Sequence, residues 1–446
     1  MNILVICSQF PPDTAIGAVK PYMISKYLSG FGHNVTVVRH GDIGKDADNS
    51  YGDYKKGLDV LTVLGDDCDV AKFERGEFQK KPLSSRSFEP SKLNLFIRFV
   101  LQPAIVLKRI IVKNNWVFKQ KKVIDSLKLQ GRTYDIVYSS FYSLENIFSG
   151  EYAAKLFNAK WVMEFRDPIG DDKTTSHGLL NICWKIYGLL VTRRSIKNSD
   201  ICFVVSEGMK LDYKKIYPKG NIHVLYNGFD SDSDEYYPAN ADKDCFSMCY
   251  TGTMYEERAC ALSSLAAALS QCFDEKRFDR KKVKFKYAGS DSVTVRRIFE
   301  ENNIEDILED HGYVSRGEAE QIQQNSDLFL VLSWNTKNSQ GILTGKFYEG
   351  IRAGRPILSI IWGDTPNSEL YMLNKKYHYG YCYESCRGKA ADDKLKEFIL
   401  GMYERKFSDK GITYKPNPDL VQDFHYKNIT KKLERLMLEL VNEDKK

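Results

Sequence analysis

Short apolar runs alternate with longer amphipathic stretches along most of the chain. NILVIC (2–7) reads as a strand, the proline-rich SQFPPDTAIG (8–17) as a loop, 18–32 as a helix and NVTVVRH (34–40) as the next strand. Further strand patterns fall at 59–64, 134–140, 160–165, 200–206 and 221–227. Continuous β-branched runs separated by helical patterns predict parallel strands buried on both faces, hence a doubly wound α/β domain over 1–227. GFDSDSDEYYPANADKD (228–244) is acidic, polar and aperiodic, and reads as a linker. The alternation then restarts over 245–418, with strands at 246–252, 282–289, 306–314, 327–333 and 355–361 and helices at 257–272, 291–302, 316–325 and 342–354. A second doubly wound domain follows. The last segment, 419–443, has strong helical amphipathicity and is expected to form a terminal helix. Two such domains are expected to face each other across a cleft, with ligands at the carboxyl ends of the strands.

Composition narrows the class without naming a chemistry. The 446 residues suit two or three domains rather than one, and 43% hydrophobic with 28% charged residues is ordinary globular usage. A net charge of +6 does not by itself indicate a nucleic-acid partner. The cysteines are scattered, with no CxxC pair, and several lie inside apolar runs (Cys7, Cys202), which predicts buried thiols of a reducing compartment. The CxxxC spacings at 245/249 and 382/386 lack companion histidines, so no metal site is expected. The N-terminus reads as a strand and not as a signal peptide, and no uninterrupted apolar run reaches the roughly 18 residues of a spanning helix. The expected location is cytoplasmic, or on the inner membrane face.

The strongest chemical signal is SQGILTGKFYEGIRAGRPILSII (339–361). Small residues and a lysine (Thr344, Gly345, Lys346) stand where a helix should begin, and Glu349 lies one turn further in. A helix N-terminus offers unpaired N–H groups and partial positive charge, both suited to phosphate. Lys346 adds a full charge, and Glu349 is placed to accept from ribose hydroxyls. The residues alone equally suit a surface lysine and a solvated glutamate. A second signal is YTGTMYEER (250–258), a strand, a turn at Gly252 and Thr253, then a helix opening with Glu256, Glu257 and Arg258. An arginine in a first turn opposes the helix dipole, which a nearby anion or a neighbouring glutamate would explain.

These segments, with FPPDTAIGAVKPYMISKYLSGFGHNVTVV, EFRDP and VLYNGFD, make the chain resemble the retaining family 4 glycosyltransferases of the two-Rossmann GT-B fold, nearly end to end. The resemblance implies transfer of a sugar from a nucleotide-diphosphate sugar, such as a UDP-sugar, to a saccharide or lipid-linked saccharide with retention of anomeric configuration. It implies that Gly17 lies in the glycine loop after the first strand, where the usual double glycine is here Ile16-Gly17. Arg258 and Lys346 would neutralise the diphosphate, and Glu349 matches the second acid of the family's paired-glutamate motif. The first acid, eight residues earlier, is replaced by Gly341. Backbone amides of Gly341, Ile342 and Leu343 would then hold the sugar. Gly289, Tyr313 and Val314 align with loops bordering the nucleotide, and FHYKNITKKLERLM with a helix crossing back to the first domain. EFRDP follows a strand, making Asp167 the candidate for acceptor orientation or proton acceptance and Arg166 for charge stabilisation, or the two an ion pair ordering the loop. DSDSD (230–234) lies in the linker and reads as solvated acid, so metal independence and no cofactor are expected.

Between 91 and 132 the cations Lys92, Arg98, Lys108, Arg109, Lys113, Lys119, Lys121, Lys122, Lys128 and Arg132 face a single acid, Asp125, among interleaved apolar and aromatic residues. This pattern fits an anionic membrane surface, with LLNICWKIYGLLVTRR (179–194) assisting; the alternative is long core-facing helices with basic outer faces. No nucleic-acid module is recognisable. Two rival readings share the fold: a nucleotide-sugar 2-epimerase, which needs no acceptor, and a non-catalytic partner subunit. Oligomeric state is not readable from the sequence.

Overall fold

The β-branched runs of the first 225 residues pair as parallel strands of one sheet. The computed structural model describes residues 1–13, 16–41, 53–64, 115–169, 179–230, 242–337 and 339–443. Its contacts divide the chain into one unit of residues 1–205, 210–225 and 430–446, and another of 206–209 with 226–429.

The first unit holds seven strands: β1 (Asn2–Ile6), β2 (Asn34–Gly41), β3 (Asp59–Leu64), β4 (Ile136–Phe141), β5 (Lys160–Phe165), β6 (Ile201–Val204) and β7 (Ile222–Val224). Their order is β3-β2-β1-β4-β5-β6-β7, and every pairing is parallel. All of β4 is buried, as expected for a central strand covered on both faces. Residues 115–129 are helical and inside this unit; the remainder of the basic segment, 91–114, lies outside the described residues, as do 231–241 of the expected linker.

The second unit repeats the design with β8 (Phe246–Thr251), β9 (Val283–Ala288), β10 (Leu308–Asp310), β11 (Leu328–Trp334), β12 (Ile357–Trp362) and β13 (Gly380–Glu384), in the order β10-β9-β8-β11-β12-β13, again all parallel. Alternate residues of β11 enter opposite cores: Leu328, Leu330 and Leu332 pack with Phe246, Met248 and Tyr250, whereas Phe329 and Val331 pack with Phe347, Ile351 and Ile357. A continuous apolar run is what a strand buried on both faces requires.

Three expectations need correction. The strand expected over 306–314 is a 3₁₀ turn at Glu305–Ile307 and then only β10, because Gly312 turns the chain at φ +63°. β13 and the helices Glu369–Tyr377 and Lys389–Lys406 were not anticipated. The terminal helix is two, Pro418–Phe424 and Tyr426–Glu443, broken where His425 is extended and bridges Phe229. The second of these helices contributes Glu434, whose carboxylate meets Nε2 of His33, just before β2, at 2.7 Å.

One buried ion pair knits the first unit. Lys20, on the helix Ile16–Gly30, is 1% exposed; its Nζ lies 2.6 Å from Glu164 Oε1 and donates to the Leu225 carbonyl at 2.6 Å. Glu164 on β5 also accepts from Tyr138 Oη at 2.7 Å and Ser140 Oγ at 2.8 Å. Burial works to raise the Glu164 carboxyl, but the charges of Lys20 and Arg166 and these hydrogen bonds prevail and hold it below its ordinary value. Its contribution to stability is therefore complete at neutral pH and is lost as pH falls through that depressed pKa. Removing one partner strands the other charge in a dry core. Lys20→Met is expected to lower the unfolding free energy by about 3–5 kcal/mol in urea titrations, and Lys20→Met/Glu164→Leu by distinctly less, because no lone charge remains. An equal or larger loss in the double variant would refute this account.

Candidate functional site

In the second unit, the chain leaves β8 through a turn at Gly252 and Thr253 and enters the helix Glu256–Asp274, and it leaves the neighbouring β11 through a loop ending in the helix Gly345–Ala353. Because β8 and β11 are paired, the two connections emerge side by side. Lys346 reaches across the gap: a Cβ built on Gly252 would stand 2.9 Å from Lys346 Cε, and Gly252 itself has φ +145°. The positive φ favours glycine, and the lysine end lies close above it. Arg258, from the helix that follows β8, donates to the Thr253 carbonyl at 2.9 Å and lies over the Tyr255 ring at 4.7 Å. The two cations singled out in the sequence thus flank adjacent residues of one turn. Part of Arg258 is spent on holding that turn; its Nε is buried without a partner.

The turn is underpinned by two tyrosines that the sequence did not flag. Tyr250 and Tyr287 stack with centroids 6.5 Å apart; Tyr250 Oη donates to the Thr253 carbonyl at 3.1 Å and Tyr287 Oη to the Gly252 carbonyl at 3.2 Å. Burial pushes the Tyr250 phenol up to about 12, with Arg258 opposing, so it remains a proton donor at any physiological pH. Asp291 accepts from the Met254 amide at 3.0 Å and closes the far side. Gly289 donates to the Gly312 carbonyl at 2.8 Å and packs on the Gly252 carbonyl.

The helix Gly345–Ala353 opens as the sequence suggested. Thr344 is its N-cap, with extended dihedrals but no side-chain capping bond, and its Oγ1 is buried without a partner. An N-terminus left uncapped, with a buried unsatisfied hydroxyl beside it, is ready for an external acceptor. Lys346 Nζ and Glu349 Oε2 form an ion pair at 2.6 Å, and Gln323 Nε2 donates to the same Oε2 at 2.8 Å. Ile342 is tied by Ser333 Oγ to its carbonyl at 3.3 Å, and Leu343 packs against the core of Phe329, Val331 and Phe347. Tyr313 projects into solvent, 89% exposed, while Val314 lines a cavity of about 300 Å³ with Lys286, His311 and Ile322. Those two are not brought to the Gly252 turn by any observed contact.

In the first unit, Gly17 and Arg166 meet. Pro21 has no N–H, so the Gly17 carbonyl four residues earlier loses its helical donor; Arg166 Nη1 takes its place at 2.5 Å. Arg166 therefore orders the start of the helix instead of pairing with Asp167. Asp167 reaches the surface, yet the surrounding protein strips enough water from its carboxyl to raise its pKa, with Arg166 opposing. Farther along, the helix Leu179–Asn198 buries Gly188, Val191, Thr192, Ser195 and Ile196 inward but leaves Ile186, Leu189 and Leu190 about half exposed or more (52%, 51% and 62%). Lys185, Arg193 and Lys197 are exposed alongside. Among the described residues no helix is long and apolar enough to cross a membrane, and no group of three or more His, Cys, Asp or Glu side chains could hold a metal.

No protein-family model matches the chain, and no curated protein matches it. Solved structures do. Sucrose-phosphate synthase from Thermosynechococcus elongatus superposes with a TM-score of 0.60 at 13% identity, covering 99% of each chain. A lipopolysaccharide outer core galactosyltransferase gives 0.57 at 13% identity over 98% of this chain and 99% of that one. A putative UDP-N-acetylglucosamine 2-epimerase from Listeria monocytogenes gives 0.53 at 11% identity over 99% and 97%. At such identities the likeness establishes the fold: two Rossmann-like domains of the GT-B class, as the sequence led us to expect.

The absent acid at Gly341 has a steric cause. Gly341 has φ +69°, and a Cβ there would stand 2.9 Å from both the Gly208 Cα and Ser206 Oγ. Gly341→Glu is therefore expected to destabilise the protein by at least about 1–2 kcal/mol from backbone strain alone, seen as a lowered melting temperature, and not to improve nucleotide binding. A Gly341→Glu variant with unchanged stability and tighter nucleotide binding would show that the loop can accept the acid.

Proposed function

We propose that this protein is a retaining glycosyltransferase of the family 4 type, moving a sugar from a nucleotide-diphosphate donor, most simply a UDP-sugar, to a saccharide or lipid-linked saccharide acceptor. One observation carries the reading: Lys346, Arg258 and the uncapped end of the helix Gly345–Ala353 converge on the Gly252 turn at the carboxyl ends of β8 and β11. Cleavage of the anomeric C–O bond leaves the bonding electrons on the diphosphate and positive charge on the sugar ring. Preorganised positive groups at that diphosphate stabilise the charge as it develops, and this is the largest contribution such a site makes. Glu349 binds the ribose hydroxyls, Thr344 Oγ1 and the first amides of the helix bind phosphate oxygens, and Gly341, Ile342 and Leu343 border the sugar. The acceptor hydroxyl forms the new C–O bond on the face the diphosphate leaves, and its proton passes to a general base. Asp167 of the first unit, its carboxyl pKa raised by desolvation with Arg166 opposing, is the proposed residue for that role. The charges are all supplied by side chains and a helix end, so the proposed reaction is metal-independent and uses no cofactor.

Lys346→Ala is expected to lower turnover of the donor by roughly 10²–10³ with little change in melting temperature. Near-normal turnover in that variant would overturn the phosphate assignment. A screen of thermal stabilisation by nucleoside diphosphates and nucleotide sugars identifies the base and the sugar. Product formed from donor alone, without acceptor, would instead favour the 2-epimerase reading, and no release of nucleoside diphosphate from any donor the non-catalytic one.

The outward stripe of Ile186, Leu189 and Leu190 continuing into Arg193 and Lys197 supports a place on the inner face of an anionic membrane, where a lipid-linked acceptor resides. Leu189→Asp/Leu190→Asp is expected to reduce co-sedimentation with phosphatidylglycerol-containing vesicles. Equal pelleting of the unmodified protein with and without anionic lipid would remove the membrane assignment.

A further inference from the structure

The helix Arg316–Gln324 is polar along its length, and one of its side chains is buried: Gln323, 2% exposed. Burying a primary amide in this position is unfavourable unless its hydrogens are satisfied. Both are. Nε2 donates to Thr251 Oγ1, on the last residue of β8, at 2.7 Å and to Glu349 Oε2 at 2.8 Å. The orientation of the amide is fixed by chemistry, since a carboxylate only accepts and must face the nitrogen. Lys346 takes the same Oε2 at 2.6 Å. Two donors thus hold one oxygen of Glu349 and leave Oε1 as the oxygen for a ligand.

We infer that Gln323 is a positioning residue that, on the donor-site reading above, aims Glu349 Oε1 at the vicinal hydroxyls of the nucleotide ribose and so sets the preference for ribonucleotides over 2′-deoxyribonucleotides. The amide links three elements: the strand that carries the Gly252 turn, the helix that carries Glu349, and the helix that borders them. A carboxylate tethered by Lys346 alone swings with a flexible four-carbon side chain; tethered also by a buried, rigid amide, it keeps one direction. Such restraint is worth most for a bidentate contact to two neighbouring hydroxyls, which demands a fixed plane, and least for diphosphate binding, which Lys346 and the helix end supply without it.

The experiment is calorimetric binding of UDP and 2′-deoxy-UDP to the unmodified protein, Gln323→Met, Glu349→Ala and the double variant, with melting temperatures measured in parallel. Methionine keeps the volume and removes the donors. The unmodified protein is expected to prefer UDP about tenfold, the loss of one hydrogen bond to a charged group. Gln323→Met is expected to reduce that preference to about twofold or less while leaving 2′-deoxy-UDP binding nearly unchanged, and to add nothing further in the Glu349→Ala background. Where the methionine variant melts too low to be titrated, Thr251→Val, which frees the other end of the amide, is expected to move the ratio in the same direction by less. A preference abolished by Glu349→Ala but untouched by Gln323→Met and Thr251→Val overturns the positioning role and leaves the donor site standing. An unmodified protein that binds no nucleoside diphosphate sinks the donor-site reading and this inference with it; one that binds both nucleotides equally overturns this inference and leaves the diphosphate site standing.

Discussion

The pairing of β8 with β11 is the constraint on which the second unit's chemistry rests. Parallel strands joined by right-handed crossovers send the connection from β8 to β9 to one face of the sheet and that from β11 to β12 to the other. The two chains part where they leave the sheet, and a crevice opens between strands that are still neighbours. The turn at Gly252 and the helix carrying Lys346 therefore come together because of strand order, not because of any local preference in either segment. The same reversal occurs in the first unit between β1 and β4, where the loop before Gly17 leaves the sheet.

The two units use buried charge differently. Lys20 and Glu164 are almost fully excluded from water, share their partners with Tyr138, Ser140 and a carbonyl, and act as a permanent tie between a helix and three strands. Lys346 and Glu349 keep about a fifth to a quarter of their side-chain surface. Burial turns the first pair into scaffold; partial exposure leaves the second able to exchange partners. The stacked tyrosines beneath the Gly252 turn belong with the scaffold, spending their hydroxyls on backbone carbonyls so that the turn above them does not shift.

Much of the fold was legible because parallel strands covered on both faces write themselves as β-branched runs, as at Asn2–Ile6 and Leu328–Trp334. β13 escaped because GYCYE has no β-branched residue and a glycine at its start; it lies at the edge of its sheet, so one row of neighbours is enough. The strand expected across 306–314 was too long because its alternation of apolar and acidic residues hid the turn at Gly312. At the candidate site, Lys346 and Arg258 could be picked out since a cation at a helix start opposes the dipole, and Glu349 by its place one turn beyond Lys346. Gln323 could not, being one polar residue in a polar helix whose burial is decided by β8 and the helix Gly345–Ala353. Arg166 showed the opposite failing: its charge was visible, but its tie to the Gly17 carbonyl depends on a proline elsewhere in the chain.

The contact between Lys346 and Glu349 also bears on what the crevice would attract. A bare lysine at a helix end would capture any small anion, and free phosphate is abundant wherever nucleotides are made and used. Here the ammonium already has an internal counter-ion, so a lone phosphate must displace a carboxylate with little to offer in return. On the donor-site reading, a nucleotide brings ribose hydroxyls that donate to Glu349 Oε1 while Gln323 keeps Oε2, so Lys346 can turn to a phosphate without leaving the acid short of donors. The crevice, on that proposed reading, would thus distinguish whole nucleotides from their fragments before any reaction begins.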